Sequence, residues 1–281
     1  MSGVQLWWAA LSAAAIVNIA AWSVSARTLL RRRRHYGAEF VWRRRLMWLS
    51  GGYVAGCAFR SLLPRIDLER ICLLKSWWSD VTLGRSVATV AELCFMAQCA
   101  LLLYQTGRAA GSGFTVTVAR LLVPIIVVAE CMSWYAILST NYLGHVAENS
   151  LWTLCAALLL GCFVLLWPRA AHRERVFLAA MTVFAAGYIA FMLDINLPMY
   201  WSRWLAERSA GAAYLSLGQG LLDASRTCSV SFDWQVWREE IPWMTPYFTL
   251  AVWVSIALPH APVWGRTLVA SSAGVRNGAQ A

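Results

Sequence analysis

Apolar residues recur along this chain in seven long windows, at about 5–26, 46–64, 83–106, 121–140, 149–167, 176–196 and 246–260, separated by shorter polar segments. About 20 helical residues at 1.5 Å rise cover the hydrocarbon core of a bilayer, so the pattern predicts an all-α, polytopic membrane protein with a seven-helix bundle. The bundle accounts for residues 1–260, with 197–245 as an outer loop or lid and 261–281 as a flexible cytoplasmic tail. Within 197–245, the stretch Ala210 to Leu222 is apolar but short and interrupted by Gly, which suits an interfacial or re-entrant piece better than a span.

Composition agrees with this pattern. Apolar residues make up 59% of the 281, mean hydropathy is +0.54, and there are 17 Trp, too much apolar surface for an ordinary soluble core of this size. The net charge of +10 sits beside the apolar windows rather than on one polar face, which argues against nucleic-acid binding.

Arginine placement predicts the orientation. Arg27, Arg31 to Arg34 and Arg43 to Arg45 crowd the first connection, RTLLRRRRHY included, and Arg-rich connections belong on the cytoplasmic side. The N-terminus is then outside and the C-terminus inside, as in a multi-pass protein of a bacterial-type inner membrane. Met1 to Ala10 carries no Lys or Arg, so the first window lacks the basic start of a signal peptide and is expected to be retained.

Two outer segments are predicted to roof the bundle. Residues 66–80, IDLERICLLKSWWSD, alternate apolar and charged positions at near-helical spacing and are expected to form an amphipathic helix in the headgroup region. The second contains YWSRWLAERS and SFDWQVWREEIPWM, where Trp alternates with charges; such rings favour the membrane interface, as an aromatic belt or a lid. Of the eight Cys, Cys72 and Cys228 alone fall outside, where an oxidising compartment would allow them to join these segments.

The candidate chemistry begins with Glu92 and Glu130, each near the middle of an apolar window. A charge at such depth costs several kcal/mol unless paired, metal-bound or hydrated. Counted from the outer helix ends, both lie roughly 13 to 15 Å down on antiparallel helices. Arg85, seven residues before Glu92, returns to nearly the same face, with Thr89 between; Ser133 shares the face of Glu130. Arg60, Asn141, His145, Glu148, Asp194 and Asn196 all project from outer helix ends. His145, Glu148, Asp194 and Glu130 make an oxygen-rich donor set with one imidazole, suited to one divalent metal ion. A dinuclear carboxylate site needs two Glu-x-x-His pairs, and only one His falls on the correct side.

Each residue also has a purely structural explanation: Glu92 would neutralise Arg85 or Arg60, Asp194 and Asn196 would end a helix before Pro198, and His145 would be an interfacial loop residue. Several chemistries are excluded outright. A retinal Schiff base needs a Lys in the last helix, whereas the single Lys is Lys75 in an outer segment. There is no paired axial His for haem, no phosphate-binding Gly-rich loop and no His-Glu-x-x-His helix.

Three function classes remain. In the first, the chain is a metal-dependent membrane hydrolase or oxidoreductase acting on a lipid or amphiphile, with Glu92, Glu130, Arg85 and Arg60 as catalytic residues and the two arginines orienting an anionic head group or stabilising developing negative charge. In the second, the same acids carry protons or cations in a transporter; the absence of an inverted repeat speaks against it. In the third, the chain is a noncatalytic membrane subunit or receptor whose buried ion pairs hold helix register.

Overall fold

The computed structural model describes residues 2–226, 228–262 and Trp264. Among the described residues the chain is all-α apart from three two-residue strands. The expected flexible tail lies, from Gly265 onward, outside the described residues.

Helix α1 (Gly3–Arg31) starts on a capping box in which Ser2 Oγ accepts from the Gln5 amide at 3.3 Å and Gln5 Oε1 accepts from the Ser2 amide at 2.9 Å. A short turn of helix, α2 (Arg33–Tyr36), leads into α3 (Phe40–Leu62), which stops before Pro64. The strands β1 (Arg65–Ile66) and β2 (Ile71–Cys72) follow, then α4 (Val81–Ala109), α5 (Gly113–Ser139) and α6 (Tyr142–Leu166). Asp80, Ser112 and Asn141 cap these three helices with side-chain oxygens.

Helix α7 (His172–Phe191) does not end at Asn196 as its apolar window does. It passes through a π-helical turn, Met192–Asn196, into α8 (Leu197–Ser209). Pro198 lacks the amide that would bond to residue 194, and the wider turn just before it absorbs that mismatch. Beyond lie α9 (Leu217–Ala224), β3 (Ser229–Val230), α10 (Trp234–Trp237), α11 (Ile241–Phe248) and α12 (Leu250–Ala257), the last two separated at Thr249, just beyond Pro246. At eight residues, α9 is far too short to span; it lies across the end of α5 with Leu217, Leu221 and Leu222 exposed.

Among the described residues, six helical stretches are long and apolar enough to cross a bilayer: Gly3–Arg31, Val81–Ala109, Gly113–Ser139, Tyr142–Arg169, His172–Ser209 and Ile241–His260. They mark a helical membrane protein. Helix α3 is 23 residues long but less apolar, because it carries Arg43, Arg44, Arg45 and Arg60. Consecutive helices pack as neighbours, α1 on α3, α3 on α4, α4 on α5, α5 on α6 and α6 on α7, and α12 returns to α3 and α1. Small residues allow the closest approach: a Cβ on Gly144 of α6 would stand 2.7 Å from the Met132 carbonyl oxygen of α5.

One end of the bundle carries a polar cap. Residues 66–80 are not the amphipathic helix expected. β1 and β2 pair antiparallel around a turn at Asp67–Arg70, where Arg70 takes a φ of 57°, and β3 adds to β2 in parallel. Two facts override helical periodicity there: Cys72 is joined to Cys228, with Cα atoms 5.8 Å apart, and Arg65 and Asp67 are drawn inward as an ion pair. The disulfide ties the two cap segments together across 156 residues. The other end of the bundle carries the Arg-rich connection around α2.

Candidate functional site: a carboxylate cluster at the polar end of an apolar cleft

The site is built first at the start of α4. The Asp80 side chain accepts from the amides of Thr82 at 2.7 Å and Leu83 at 3.1 Å, and its carbonyl accepts from Arg65 Nη1. The Arg65 guanidinium therefore lies flat across Gly84: a Cβ at that position would fall 0.6 Å from Nη2. Only glycine leaves the space. Arg65 Nε donates to Asp67 Oδ1 at 2.8 Å and Arg60 Nη1 to Asp67 Oδ2 at 3.0 Å, so one carboxylate bridges two arginines. Burial lowers Arg65 to about 10, because desolvation outweighs its partner Asp67. Desolvation also raises Asp67, but Arg60 and Arg65 together outweigh it and hold the group at about 2.

One turn below, Arg85 reaches into the bundle. Its Nη2 lies 2.5 Å from Glu130 Oε2, 3.3 Å from Glu92 Oε2 and 3.3 Å from Glu148 Oε1. Three helices, α4, α5 and α6, thus bring four ionisable groups to one point, all less than a tenth exposed. Each carboxylate has a second partner. Thr89 Oγ1 donates to Glu130 Oε2 at 2.6 Å, itself held by Trp134 Nε1 at 3.1 Å; Tyr247 of α11 donates to Glu92 Oε1 at 2.9 Å; and His145 Nδ1 lies 2.7 Å from Glu148 Oε2. The His145 ring packs 5.0 Å from that of Tyr200 on α8.

Among the described residues, three buried atoms here have no hydrogen-bond partner: Glu130 Oε1, Arg85 Nε and Ser133 Oγ. Three carboxylates against one guanidinium leave a formal charge of minus two, or minus one with a protonated His145. In a low-dielectric interior such a deficit is met by protons or by a further cation. One oxygen from each of Glu92, Glu130 and Glu148 lies within 4.8 Å of the others, a spacing that a metal ion would fit.

The cluster opens on a cavity of about 530 Å³, within the roughly 300 to 1,000 Å³ usual for small-molecule sites. Its charged lining is confined to the capped end, where Arg60, Arg65, Asp67, Glu69, Arg203 and Glu240 join the cluster. Arg203 gathers the acids of that rim, with Glu240 at 2.7 Å, Glu239 at 2.8 Å and Glu69 at 3.6 Å, and Glu69 accepts from the Tyr142 hydroxyl. From Glu92 toward the Arg-rich end the walls are Phe95, Met96, Leu103, Phe163, Leu166 and Met181, with Thr106 the lone hydroxyl of α4 among the lining residues. Along α4 the lining runs from Arg85 to Thr106, about 30 Å of helix, so the cavity is a long cleft. Its lining reaches the outer surface of the bundle at Val183 of α7 and Leu250 of α12, 73% and 59% exposed.

The residues singled out in the sequence are thus partly brought together. Glu92, Glu130, Glu148 and Arg85 meet directly. His145 stands behind Glu148 and is not among the oxygen donors spaced for a metal; helical order begins at Tyr142, early enough to set the His145 and Glu148 pair on adjacent turns. Arg60 lines the cleft but pairs with Asp67 rather than Glu92. Asp194 is the exception: the π-helical turn rotates it outward, where it is exposed and apart from the cavity, and Asn196 is the buried residue of that turn, donating to Asn149 Oδ1 at 3.3 Å. Asp194 is not among the carboxylates grouped at a metal-like spacing. Tyr247, Arg65 and Asp67 escaped sequence reasoning: a tyrosine in an apolar window carries no charge to betray it, and charges outside a span are ordinary.

Comparison with protein-family models, with characterised proteins and with solved structures finds no match, so the functional argument rests on this geometry.

Proposed function

We propose that this chain is an integral membrane enzyme of seven spans, N-terminus outside and C-terminus cytoplasmic in a bacterial-type inner membrane, that acts on a lipid or other amphiphile. The single observation carrying the proposal is the junction of a buried, charge-deficient carboxylate cluster with an apolar cleft whose lining reaches the outer surface of the bundle. An acyl or similar chain would lie along Phe95, Met96 and Leu103, and its polar end would meet Arg85, Glu92 and Glu148, with Glu130 behind Arg85.

In that arrangement Glu92, which lines the cleft, takes the proton and shares it with Glu130 behind it, whose Oε1 is unpartnered, and Arg85 stabilises negative charge developing on the substrate. His145 and Glu148 form a second proton-handling pair. A divalent ion is the other way to balance the charge: it would be held by Glu92, Glu130 and Glu148, would displace Arg85 from their midst, and would activate water or polarise the substrate. The apolar lining below Glu92 favours a hydrocarbon chain over the continuous polar path that a proton- or cation-coupled transporter needs, and a noncatalytic subunit or receptor has no use for buried carboxylates in excess of their one arginine.

The test is chemical analysis of the purified chain. Extraction with organic solvent is expected to release a bound amphiphile, and metal analysis decides between the two ways of balancing charge. Glu130→Gln is expected to abolish turnover of that amphiphile, and any stoichiometric metal, while the protein stays folded. A purified chain that carries no amphiphile and binds none added back would defeat the proposal.

A further inference from the structure

The carboxylate cluster accounts for Arg85 but not for the two arginines above it. Arg60 and Arg65 border the cleft, are 6% and 1% exposed, and share one carboxylate, Asp67. Taken by themselves, Arg60, Arg65 and Asp67 thus carry one positive charge, unlike the acid-rich groups around Arg85 and Arg203. No other acid forms an ion pair with Arg60 or Arg65: Glu69 and Glu240 turn to Arg203, and Glu92, Glu130 and Glu148 converge on Arg85.

Donors are also left over. Arg60 Nε and Arg65 Nη2 are buried with no hydrogen-bond partner among the described residues, and so is Arg85 Nε below them. Arg65 Nη2 is spent on packing against Gly84, but Arg60 Nε has no such explanation. A buried cationic N–H without an acceptor carries a penalty that an incoming anion removes.

Resting on the amphiphile reading above, we infer that Arg60 and Arg65 form an oxyanion subsite, which selects amphiphiles with an anionic head such as a phosphoryl group and holds that head on the capped side of the carboxylate cluster. The local positive charge of this trio and the unpartnered Arg60 Nε draw the anion, and Asp67 fixes the two guanidinium planes before it arrives. The same cleft would then discriminate at both ends, by charge above and by apolar surface below.

Competition binding by the full-length chain, purified in a neutral maltoside detergent and followed by thermal shift and Trp fluorescence, tests this with dodecyl phosphate, dodecanol and inorganic phosphate. Dodecyl phosphate is expected to bind saturably and roughly tenfold or more tighter than dodecanol, as a charge-assisted hydrogen bond of about 1.5 kcal/mol predicts, with inorganic phosphate far weaker. Arg60→Gln is expected to bring the first two affinities together while leaving dodecanol unchanged. Equal binding of dodecyl phosphate and dodecanol by the unmodified chain would overturn the oxyanion subsite and leave the cleft reading intact. Inorganic phosphate binding as tightly as dodecyl phosphate would reassign the subsite to a free anion. Failure of both dodecyl compounds to bind would overturn the cleft reading and this inference with it. The comparison among ligands needs no variant, so a misfolded Arg60→Gln does not blunt it.

Discussion

Two buried arginines, Arg43 and Arg85, solve the same problem in opposite ways. Arg43 lies near the Arg-rich end of α3, and its guanidinium is fully spoken for: Nη1 donates to the Pro259 carbonyl at 2.7 Å, Nη2 to the Ala261 carbonyl at 2.8 Å and Nε to Glu39 at 3.3 Å, between the rings of Tyr36 and Trp42. Its partners are mostly backbone oxygens, so it ties the end of the last helix to α3 without gathering excess charge. Arg85 directs one nitrogen at three carboxylates and leaves its Nε unpartnered. A group retained for stability ends up satisfied; a group held amid unbalanced charge keeps a capacity to bind. Burial alone does not separate the two, since both are almost inaccessible.

Substitution should break this comparison most visibly at Arg85. Arg85→Met leaves three buried carboxylates with no cation and is expected to destabilise the protein by about 3 to 5 kcal/mol in unfolding titrations. Adding Glu130→Gln should recover much of that loss. Arg43→Met is expected to destabilise as well, by about 1 to 3 kcal/mol from its orphaned carbonyls, but Glu130→Gln should not rescue it, and ligand binding in the cleft should be unaffected. Rescue of both, or of neither, would erase the distinction between them.

Gly84→Ala probes the cap that stands over Arg85. The added methyl displaces the Arg65 guanidinium, with an expected loss of about 1 to 3 kcal/mol in thermal or denaturant unfolding and weakened binding of dodecyl phosphate relative to dodecanol. A variant as stable as the parent, with the same ligand preference, would show that Arg65 need not lie where it does.

The smallest expected effect is on acid stability. Asp67 is held at about 2, below its ordinary 3.8, so it contributes stability above pH 4 that is lost as pH falls toward 2. The full shift corresponds to about 2 kcal/mol. Melting temperature should therefore drop across that window, and Asp67→Asn should flatten this part of the profile while lowering the neutral-pH value.

Much of this was legible along the chain. The apolar windows lie within, or within two residues of, observed helices, because hydropathy over about 20 residues integrates many side chains and is insensitive to detail. Glu92 and Glu130 stood out because a carboxylate deep in an apolar window has few inexpensive explanations, and the seven-residue spacing put Arg85 on their face. The cap was misread, since 66–80 has helical periodicity locally but is governed by the Cys72–Cys228 link and the inward pairing of Asp67, both contacts with distant or folded-back residues. Asp194 lies apart from the cluster because it falls inside a π-helical turn, whose wider winding shifts side chains from their α-helical positions, and nothing in the residues before Pro198 states how that proline will be accommodated.

By itself the amino-acid order determined that the chain forms apolar helices and that ionised groups must be buried among them, since both follow from transfer free energies summed over neighbouring residues. Which acids share an arginine, that Tyr247 closes on Glu92, and that two arginines share one aspartate at the mouth of a cleft were decided only in three dimensions, because helix rotation, tilt and loop folding place side chains to within an ångström, and no window of local sequence encodes that.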